Sequence, residues 1–358
     1  MKLRTHLWAG RGAFAASTAF VATLSAASAF AEGEPVNFLT AVPAESEKIF
    51  NETIERAGGV NTFAHAREPA TVETQTIVRS QSDMLYSQGV FDVSEGMTVT
   101  VPDCTTGYQS VALFDANHGQ IGVVYCGDSR EVTADQVSTE DKHIFAMMRT
   151  STDKGVEAAN AAQDAVTMKP RSATKYAGPG YDQAQLAEAK RILAGGIVLV
   201  KNQTAYADEL TPGTVLIKDG TDLEKYNYIF TSLLGWGLMP LEDAYYSNTV
   251  IKEGDCTEVT FAEPPVDKKK RGYWSLTAYT MEGYLGTDNA ALSAYNAEAN
   301  DDGSFSVFVG NSEECQSQAN QIDMPKGGAA LTLRMYRPTS LEAAMEFETS
   351  FVADNKGK

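Results

Sequence analysis

The sequence predicts a mainly β protein in which two antiparallel β regions are joined by a helical section. Residues 273–279 alternate between tyrosine or hydroxyl side chains and apolar ones, which is the two-residue period of a strand. Asp302-Gly303 tolerates the backbone dihedral angles of a tight hairpin turn, and residues 305–309 alternate again. Short segments of this kind at close spacing favour a sandwich or a barrel over a parallel α/β sheet.

The first residues have the composition of a secretory signal. A basic start is followed by an apolar run of small residues at positions 13–29, and Ala29-Phe30-Ala31 fits the small-x-small cleavage rule. We expect residues 1–31 to form a signal peptide that is cleaved before Glu32, which makes the mature protein periplasmic or secreted. A membrane anchor is the alternative, and the short, Ala- and Ser-rich run disfavours it.

The net charge limits the partners of the chain. The whole chain carries a formal charge of -18, and the signal segment contains bases but no acid, so the mature chain is more acidic still. Such a surface repels phosphate backbones and anionic lipid head groups. We expect no nucleic-acid partner and no stable membrane insertion after cleavage. The basic run at residues 268–271 is predicted to be a solvated loop, and the sequence leaves the oligomeric state open.

All four cysteines, Cys104, Cys126, Cys256 and Cys315, lie in the exported part. An even number in an oxidising compartment favours two disulfides, for which three connectivities exist. Sequence order suggests Cys104 with Cys126 and Cys256 with Cys315, one pair within each half, although the other connectivities stay open at this point. A zinc site is the alternative, and the lack of any C-x-x-C or Cys/His spacing disfavours it.

The N-terminal part of the mature chain begins with a helix and continues with strands. Residues 43–57 have acids near their start, apolar residues on one face and Gly58-Gly59 at their end. From about residue 72 the period changes to two. The predicted strands are residues 77–78, 85–93, 97–101, 108–114, 121–125 and 143–148.

The middle of the chain has a helical pattern, and the β pattern then resumes. Helices are predicted at residues 155–166, 182–193 and 222–234, with a loop at residues 169–180. Strands resume at Cys256 and end at Arg337-Pro338, after which Ser340 is predicted to cap a short last helix. The predicted units are an N-terminal β domain at residues 32–150, a helical connecting section at 151–247 and a C-terminal β domain at 248–358.

Short motifs along the chain carry a family resemblance. They are RSQSDMLYS at residues 79–87, GVFD at 89–92, VPD at 101–103, GYWS at 272–275, DGS at 302–304 and LRMYRP at 333–338. With these motifs the chain resembles, over nearly its whole mature length, the tandem bacterial domain-of-unknown-function families numbered 1254 (N-terminal) and 1214 (C-terminal). The resemblance implies a pair of β-sandwich, jelly-roll-like domains with helices between them.

The activity of that family is not established, so the resemblance transfers no catalytic residue. The chain also departs from the family pattern at two places. Before the Leu-Tyr pair the family usually has Asn-x-Asp or Asn-Arg-Asp, whereas this chain has Gln81-Ser82-Asp83. The cysteine after Pro102-Asp103 is not part of the general pattern either, which indicates that the disulfides are a local addition.

The sequence contains no recognisable catalytic or metal-binding signature. The exported part has the histidines His65, His118 and His143, without a G-x-S-x-G motif or the spacing of a Ser-His-acid triad. His118, in an apparent hairpin turn, is expected to be the most exposed of the three. Residues 300–303 are better explained by a hairpin turn than by a calcium loop, because the spacing of an EF-hand is missing. No metal and no cofactor are predicted.

One group of polar and aromatic residues lies on or beside the predicted strands, where Ser or Thr would satisfy the alternation. A functional interpretation is a cleft in which arginine binds an anionic or hydroxylated ligand, a carboxylate accepts ligand hydroxyls and aromatic rings stack on it. A structural interpretation is that the acids cap turns and pair with arginines while the aromatics fill the core. The candidate residues are Asp83, Tyr86, Asp103, Arg149, Trp274, Tyr279, Arg334 and Arg337.

These observations lead to two functional hypotheses and a weaker third. The first is an exported β-sandwich protein that binds a small-molecule or glycan ligand, or a partner, without chemical turnover. The second is a hydrolase or lyase acting on a sugar or carboxylated compound, which requires two carboxylates across a cleft and a perturbed acid. The third is a surface or assembly component, which a large exposed apolar patch would indicate.

Overall fold

The computed structural model describes residues 33–75, 79–201, 228–230, 232, 233 and 235–358, except for the side chains of residues 194–201. The predicted signal segment, the predicted strand at residues 77–78 and most of the predicted helix at residues 222–234 lie outside the described residues. Within the described part, no helix has the length and apolar character that crossing a membrane requires.

Strands predominate among the described residues, which include fifteen strands, five α-helices and further helical residues at 228–230, 232, 233 and 235. The helices are α1 (Ala41–Ala57), α2 (Val156–Ala165), α3 (Gln183–Lys201), α4 (Glu313–Gln316) and α5 (Leu341–Asn355). The strands of the N-terminal half are β1 (Thr62–His65), β2 (Met84–Asp92), β3 (Met97–Thr100), β4 (Gln109–Asp115), β5 (Gln120–Tyr125), β6 (Ser129–Val132), β7 (His143–Ser151) and β8 (Thr167–Pro170). Those of the C-terminal half are β9 (Ala244–Ile251), β10 (Cys256–Phe261), β11 (Tyr273–Tyr279), β12 (Ala291–Ser293), β13 (Phe305–Gly310), β14 (Gln321–Ile322) and β15 (Ala329–Tyr336).

The N-terminal half packs a five-stranded sheet on a three-stranded sheet. The larger sheet has the order β1-β2-β7-β4-β5 and the smaller one β6-β3-β8, with antiparallel pairing throughout. Alternate residues of the larger sheet, such as Phe91, Leu113 and Met148, pack against Met97 and Val99 of the smaller one. This sandwich core follows from the two-residue period of the strands.

The C-terminal half repeats this arrangement with different strands. A four-stranded antiparallel sheet, β12-β11-β15-β9, packs on the three-stranded sheet β10-β13-β14, in which β13 and β14 pair parallel. Trp274 and Leu333 from the first sheet meet Phe261 and Phe305 from the second in one core, and Phe351 of α5 completes it. The prediction of two antiparallel β sandwiches in a mainly β chain is therefore confirmed.

The outer faces of the two larger sheets meet, and this contact joins the halves. Met84, Tyr108 and Tyr125 from the N-terminal half pack with Tyr273 and Tyr336 from the C-terminal half. Strand β11 is consequently buried on both faces. Its apolar face lies in the sandwich core, whereas its tyrosine and hydroxyl face lies at the junction between the halves.

Several predicted boundaries differ from the structure for identifiable reasons. Helix α3 continues through Gly195-Gly196, where it was predicted to end, because a glycine costs a helix only about 1 kcal/mol. Residues 167–170, partly assigned to a loop, form β8 and pair with β3. The last helix extends over 15 residues from its Ser340 cap, whose hydroxyl accepts from the Ala343 amide at 3.1 Å. The division into domains at residues 150 and 247 stays a prediction.

Cys104 is bonded to Cys126 and Cys256 to Cys315, with Cα–Cα distances of 5.1 and 5.2 Å. The connectivity that sequence order suggested is therefore the one in the structure. Each bond lies within one half, where Cys104–Cys126 closes a loop of 22 residues and Cys256–Cys315 one of 59 residues. Both bonds act mainly by restricting the unfolded chain.

Removing either disulfide should lower the free energy of unfolding without changing the fold. Loop-closure entropy gives about 3 kcal/mol for Cys104→Ser/Cys126→Ser and about 4 kcal/mol for Cys256→Ser/Cys315→Ser. Guanidinium unfolding followed by circular dichroism measures both values. The fully oxidised wild type is the control, and equal stability of the double variants and the wild type would contradict this assignment.

Candidate functional site

The junction between the sandwiches is a buried layer rich in tyrosine. Tyr273 and Tyr336, neighbours on β11 and β15, stack with their ring centroids 4.9 Å apart. Tyr108, just before β4 in the other half, approaches both rings, at 5.3 and 5.1 Å. Burial raises the pKa of Tyr108, Tyr273 and Tyr336, so these hydroxyls stay neutral and can donate hydrogen bonds.

Arg334 of β15 lies beside these tyrosines and has only 3% of its surface exposed. Its guanidinium donates to the Thr277 hydroxyl at 3.1 Å, to the Tyr279 hydroxyl at 2.7 Å and to the Arg79 carbonyl at 3.1 Å. Tyr279 in turn donates to the Ser80 carbonyl at 2.8 Å. Arg334 therefore ties the C-terminal sheet to the segment that enters β2.

Gln81 connects the tyrosines of both halves to Asp83. Its side-chain oxygen accepts from the hydroxyls of Tyr86, at 3.0 Å, and of Tyr336, while its amide donates to Asp83 Oδ1 at 3.1 Å. Burial raises the pKa of Tyr86 to about 12, which keeps it a neutral donor. The side chains of this segment are thus fixed by contacts that cross the junction.

Asp83 has one oxygen bonded and one unsatisfied. Oδ2 is buried and makes no well-formed hydrogen bond, and the nearby hydroxyl of Ser275, which acts on this carboxyl, makes none either. Burial raises the pKa of the Asp83 carboxyl, although the nearby Ser275 hydroxyl and the charge of Arg334 oppose this shift. An acid in this state can accept from a ligand hydroxyl when ionised and donate to one when protonated.

Asp83 lies in the wall of a cleft of about 300 Å³ that opens at the edge of the junction. The lining combines two carboxylates with hydroxyl and amide groups and a few apolar atoms, and it contains no basic side chain. It comprises Pro69, Ala70, Thr71, Ser82, Asp83, Thr152, Asp288, Ala291 and Asn296. Such a surface suits a ligand that is neutral and carries several hydroxyl groups.

The structure brings five of the eight predicted site residues together at the junction, namely Asp83, Tyr86, Arg149, Tyr279 and Arg334. Arg149 donates to the Gly237 carbonyl at 3.0 Å and lies over the Tyr86 ring at 5.8 Å. In the described part of the chain, no ion pair joins Arg149 or Arg334 to a carboxylate within 4.0 Å. The structural interpretation expected Arg334 and Arg337 to pair with Asp83 and Asp103, and no such ion pair occurs in the described part of the chain.

The other three predicted residues lie elsewhere. Arg337 stacks on Tyr125, with its guanidinium carbon 3.8 Å from the ring centroid, and donates to the Lys270 carbonyl at the rim of the junction. Asp103 is exposed in the loop that carries Cys104. Trp274 points into the C-terminal sandwich core, because its neighbours Tyr273 and Ser275 occupy the junction face.

Sequence reasoning missed several residues of the site. Gln81 and Tyr336 lie inside the RSQSDMLYS and LRMYRP motifs, so they could have been selected with their neighbours. Ser82, Thr152, Asp288 and Asn296 come from four separate segments, and no periodicity brings such segments together. Only the packing of the two sandwiches defines the cleft.

His118 is buried, with 6% of its surface exposed, so the expectation that it is the most exposed histidine was wrong. It does lie in the turn between β4 and β5, but Trp236 stacks on it at 4.8 Å. Its Nε2 accepts from the Gly237 amide at 2.9 Å, and Nδ1 lies 2.8 Å from the Ser232 hydroxyl. Burial lowers the pKa of His118 to about 3. The described residues contain no group of three or more His, Cys, Asp or Glu side chains that could hold a metal ion.

Acid should destabilise the protein through His118. Because its folded-state pKa of about 3 lies below the ordinary histidine value of 6.5, the unfolded chain binds a proton that the folded chain rejects. This stabilisation is complete above pH 6.5 and is lost as the pH falls toward 3. The loss in the free energy of unfolding is at most about 5 kcal/mol, because a tenfold change in proton affinity corresponds to about 1.4 kcal/mol. Urea unfolding at several pH values measures it. His118→Gln should flatten the curve in that window, and an unchanged slope would contradict the assignment.

Comparisons with known proteins agree with this architecture. A family model described as protein of unknown function (DUF1254) matches residues 60–170, and one described as protein of unknown function (DUF1214) matches residues 248–340. The chain is similar to the solved VPA0106 protein from Vibrio parahaemolyticus, at 16% identity and a TM-score of 0.60, over 86% of this chain and 94% of that one. This likeness shows a shared fold.

A second solved structure, a putative uncharacterized protein from Burkholderia cenocepacia, is similar at 13% identity and a TM-score of 0.47, over 85% of this chain and 84% of that one. A search of curated proteins found no match. The two family matches lie in the order that the sequence motifs indicated. The chain therefore belongs to the proteins that carry a DUF1254 domain followed by a DUF1214 domain, both of unknown function.

Proposed function

We propose that this is an exported, non-catalytic binding protein that takes up a small polyhydroxylated ligand, such as a sugar or the end of a glycan, in the cleft beside Asp83. The observation that carries this proposal is the buried, unsatisfied Oδ2 of Asp83, a residue that lines that cleft. A buried carboxylate oxygen without a partner is costly, and a ligand hydroxyl would satisfy it.

The rest of the cleft supports the same class of ligand. Hydroxyls of Ser82 and Thr152 and the amide of Asn296 can exchange hydrogen bonds with several hydroxyl groups at once. Both charged groups of the lining, Asp83 and Asp288, are acids. An anionic ligand is therefore disfavoured in this cleft, whose lining includes none of the buried arginines that suggested one.

Export is part of the proposal. Two disulfides support an oxidising compartment, because such bonds are rare where thiols are kept reduced. Together with the predicted signal peptide at residues 1–31, they support a periplasmic or secreted protein. The acidic surface supports the absence of nucleic-acid and anionic-membrane partners.

A hydrolase or lyase acting on the same class of compound is the second candidate. It is favoured by the raised pKa of the Asp83 carboxyl and by the exposed carboxylate of Asp288 in the same cleft, since glycoside hydrolysis uses an acid and a second carboxylate. Against it, the Asp288 carboxylate is exposed and its Oδ1 already accepts from the Val72 amide at 3.0 Å. We therefore place binding before turnover.

Binding should depend on Asp83 and not on acidity elsewhere. Screening the mature protein against monosaccharides, polyols and organic acids by thermal shift should identify hydroxylated compounds that raise the melting temperature. Asp83→Asn should weaken the best of them about tenfold or more by calorimetry, because a hydrogen bond to a charged acceptor is lost. Asp103→Asn, at an exposed acid outside the cleft, is the matched control. Equal affinities of both variants would refute the site.

The compound that binds best then separates the two candidates. A binding protein should return it unchanged after prolonged incubation, as shown by chromatography and mass spectrometry. Cleavage or elimination products that disappear in both Asp83→Asn and Asp288→Asn would instead establish the enzyme.

A further inference from the structure

A second polar site lies at the junction, on the far side of Gln81 from the cleft. Arg149 of β7 has 5% of its surface exposed, and its Nη2 donates to the Gly237 carbonyl at 3.0 Å. Its Nη1 is buried without a hydrogen-bond partner. Burying a guanidinium without a counter-charge is among the most unfavourable arrangements in a protein interior.

A second unsatisfied donor stands next to Arg149. Ser110 of β4 is paired directly with Arg149 across the two strands. Its hydroxyl is also buried, and the neighbouring Tyr108 hydroxyl, which acts on it, does not satisfy it with a well-formed hydrogen bond. Directly opposed residues share one face of a sheet, with Cβ atoms about 5 Å apart. Two donors, one of them charged, therefore face the same small volume.

The surroundings of Arg149 supply hydroxyl groups and aromatic rings rather than carboxylates. The groups that act on its charge are Tyr86, Tyr108, Tyr246 and Tyr336. Burial raises the pKa of three of these, Tyr86, Tyr108 and Tyr336, so they are neutral at physiological pH. Arg334 is a second buried cation within electrostatic reach of Tyr86 and Tyr336. This part of the junction is thus positive within an acidic protein.

We propose that Arg149 and Ser110 together bind a small monovalent anion, either chloride or the carboxylate group of a short-chain acid. The anion would accept from Arg149 Nη1 and from the Ser110 hydroxyl, and it would neutralise a guanidinium that the described residues leave without an ion pair. Because both donors are buried, the anion that we propose is a small one. This site is separate from the Asp83 cleft and does not depend on the function proposed for it.

The proposal is tested by the response of thermal stability to the kind of anion. Replacing a large anion such as gluconate by chloride, formate or acetate, from about 1 mM to about 100 mM at constant ionic strength, should raise the melting temperature of the mature protein with the logarithm of concentration. In Ser110→Ala the apparent affinity should fall about three- to tenfold, because one hydrogen bond is lost. In Arg149→Met the response should disappear.

Two controls isolate the site. Arg171→Met, at an exposed arginine paired with Glu131, should keep the full response, as should Asp83→Asn in the cleft. If Arg149→Met does not fold, a bromide soak of wild-type crystals replaces it, with an anomalous peak expected about 3 to 3.5 Å from both Arg149 Nη1 and Ser110 Oγ. Equal responses of wild type and Ser110→Ala, no selectivity among the anions, or a bromide peak elsewhere would overturn the proposal.

Discussion

The structure depends on one constraint, namely that the outer face of the C-terminal sheet is polar and yet buried. Tyr273, Ser275, Thr277 and Tyr279 on β11 face the other half of the chain rather than solvent. Every donor and acceptor on that face must find a partner within the protein or in a ligand, because an unsatisfied polar group costs about 1 to 3 kcal/mol in a protein interior. Arg334 meets most of this demand by donating to two side chains of the sheet and to the backbone of the opposite half.

This way of joining two domains has consequences for specificity. A purely apolar junction would tolerate sliding, whereas a network of oriented hydrogen bonds selects one arrangement. Gln81 shows how, since it accepts from a tyrosine of each half and donates to Asp83. The groups that the network leaves unsatisfied, Asp83 Oδ2 on one side and Arg149 Nη1 on the other, then become the places where the molecule can recognise something else.

The turn at Gly237 links the N-terminal sheet to this network. Its amide donates to His118, and its carbonyl accepts from Arg149, so the two peptide units on either side of Gly237 are each held by one of these side chains. Glycine is favoured there because its φ is +85°, a backbone conformation that residues with a Cβ rarely adopt. A neutral His118 is needed for the same reason, since a protonated Nε2 could not accept from the amide.

The sequence by itself determined the class of fold and most of the order of its elements, because strand alternation and turn residues act locally, and it suggested the pairing of cysteines within each half. It also selected Asp83, Tyr86, Arg149, Tyr279 and Arg334 as unusual residues for strand positions. Tertiary structure decided which of the eight candidates meet, because alternation assigns residues to two faces without saying what covers each face. Trp274 and Tyr279 occupy the same strand, and only the docking of a second sandwich makes one a core residue and the other part of the junction. The cleft has the same origin, since its lining comes from segments far apart in the chain.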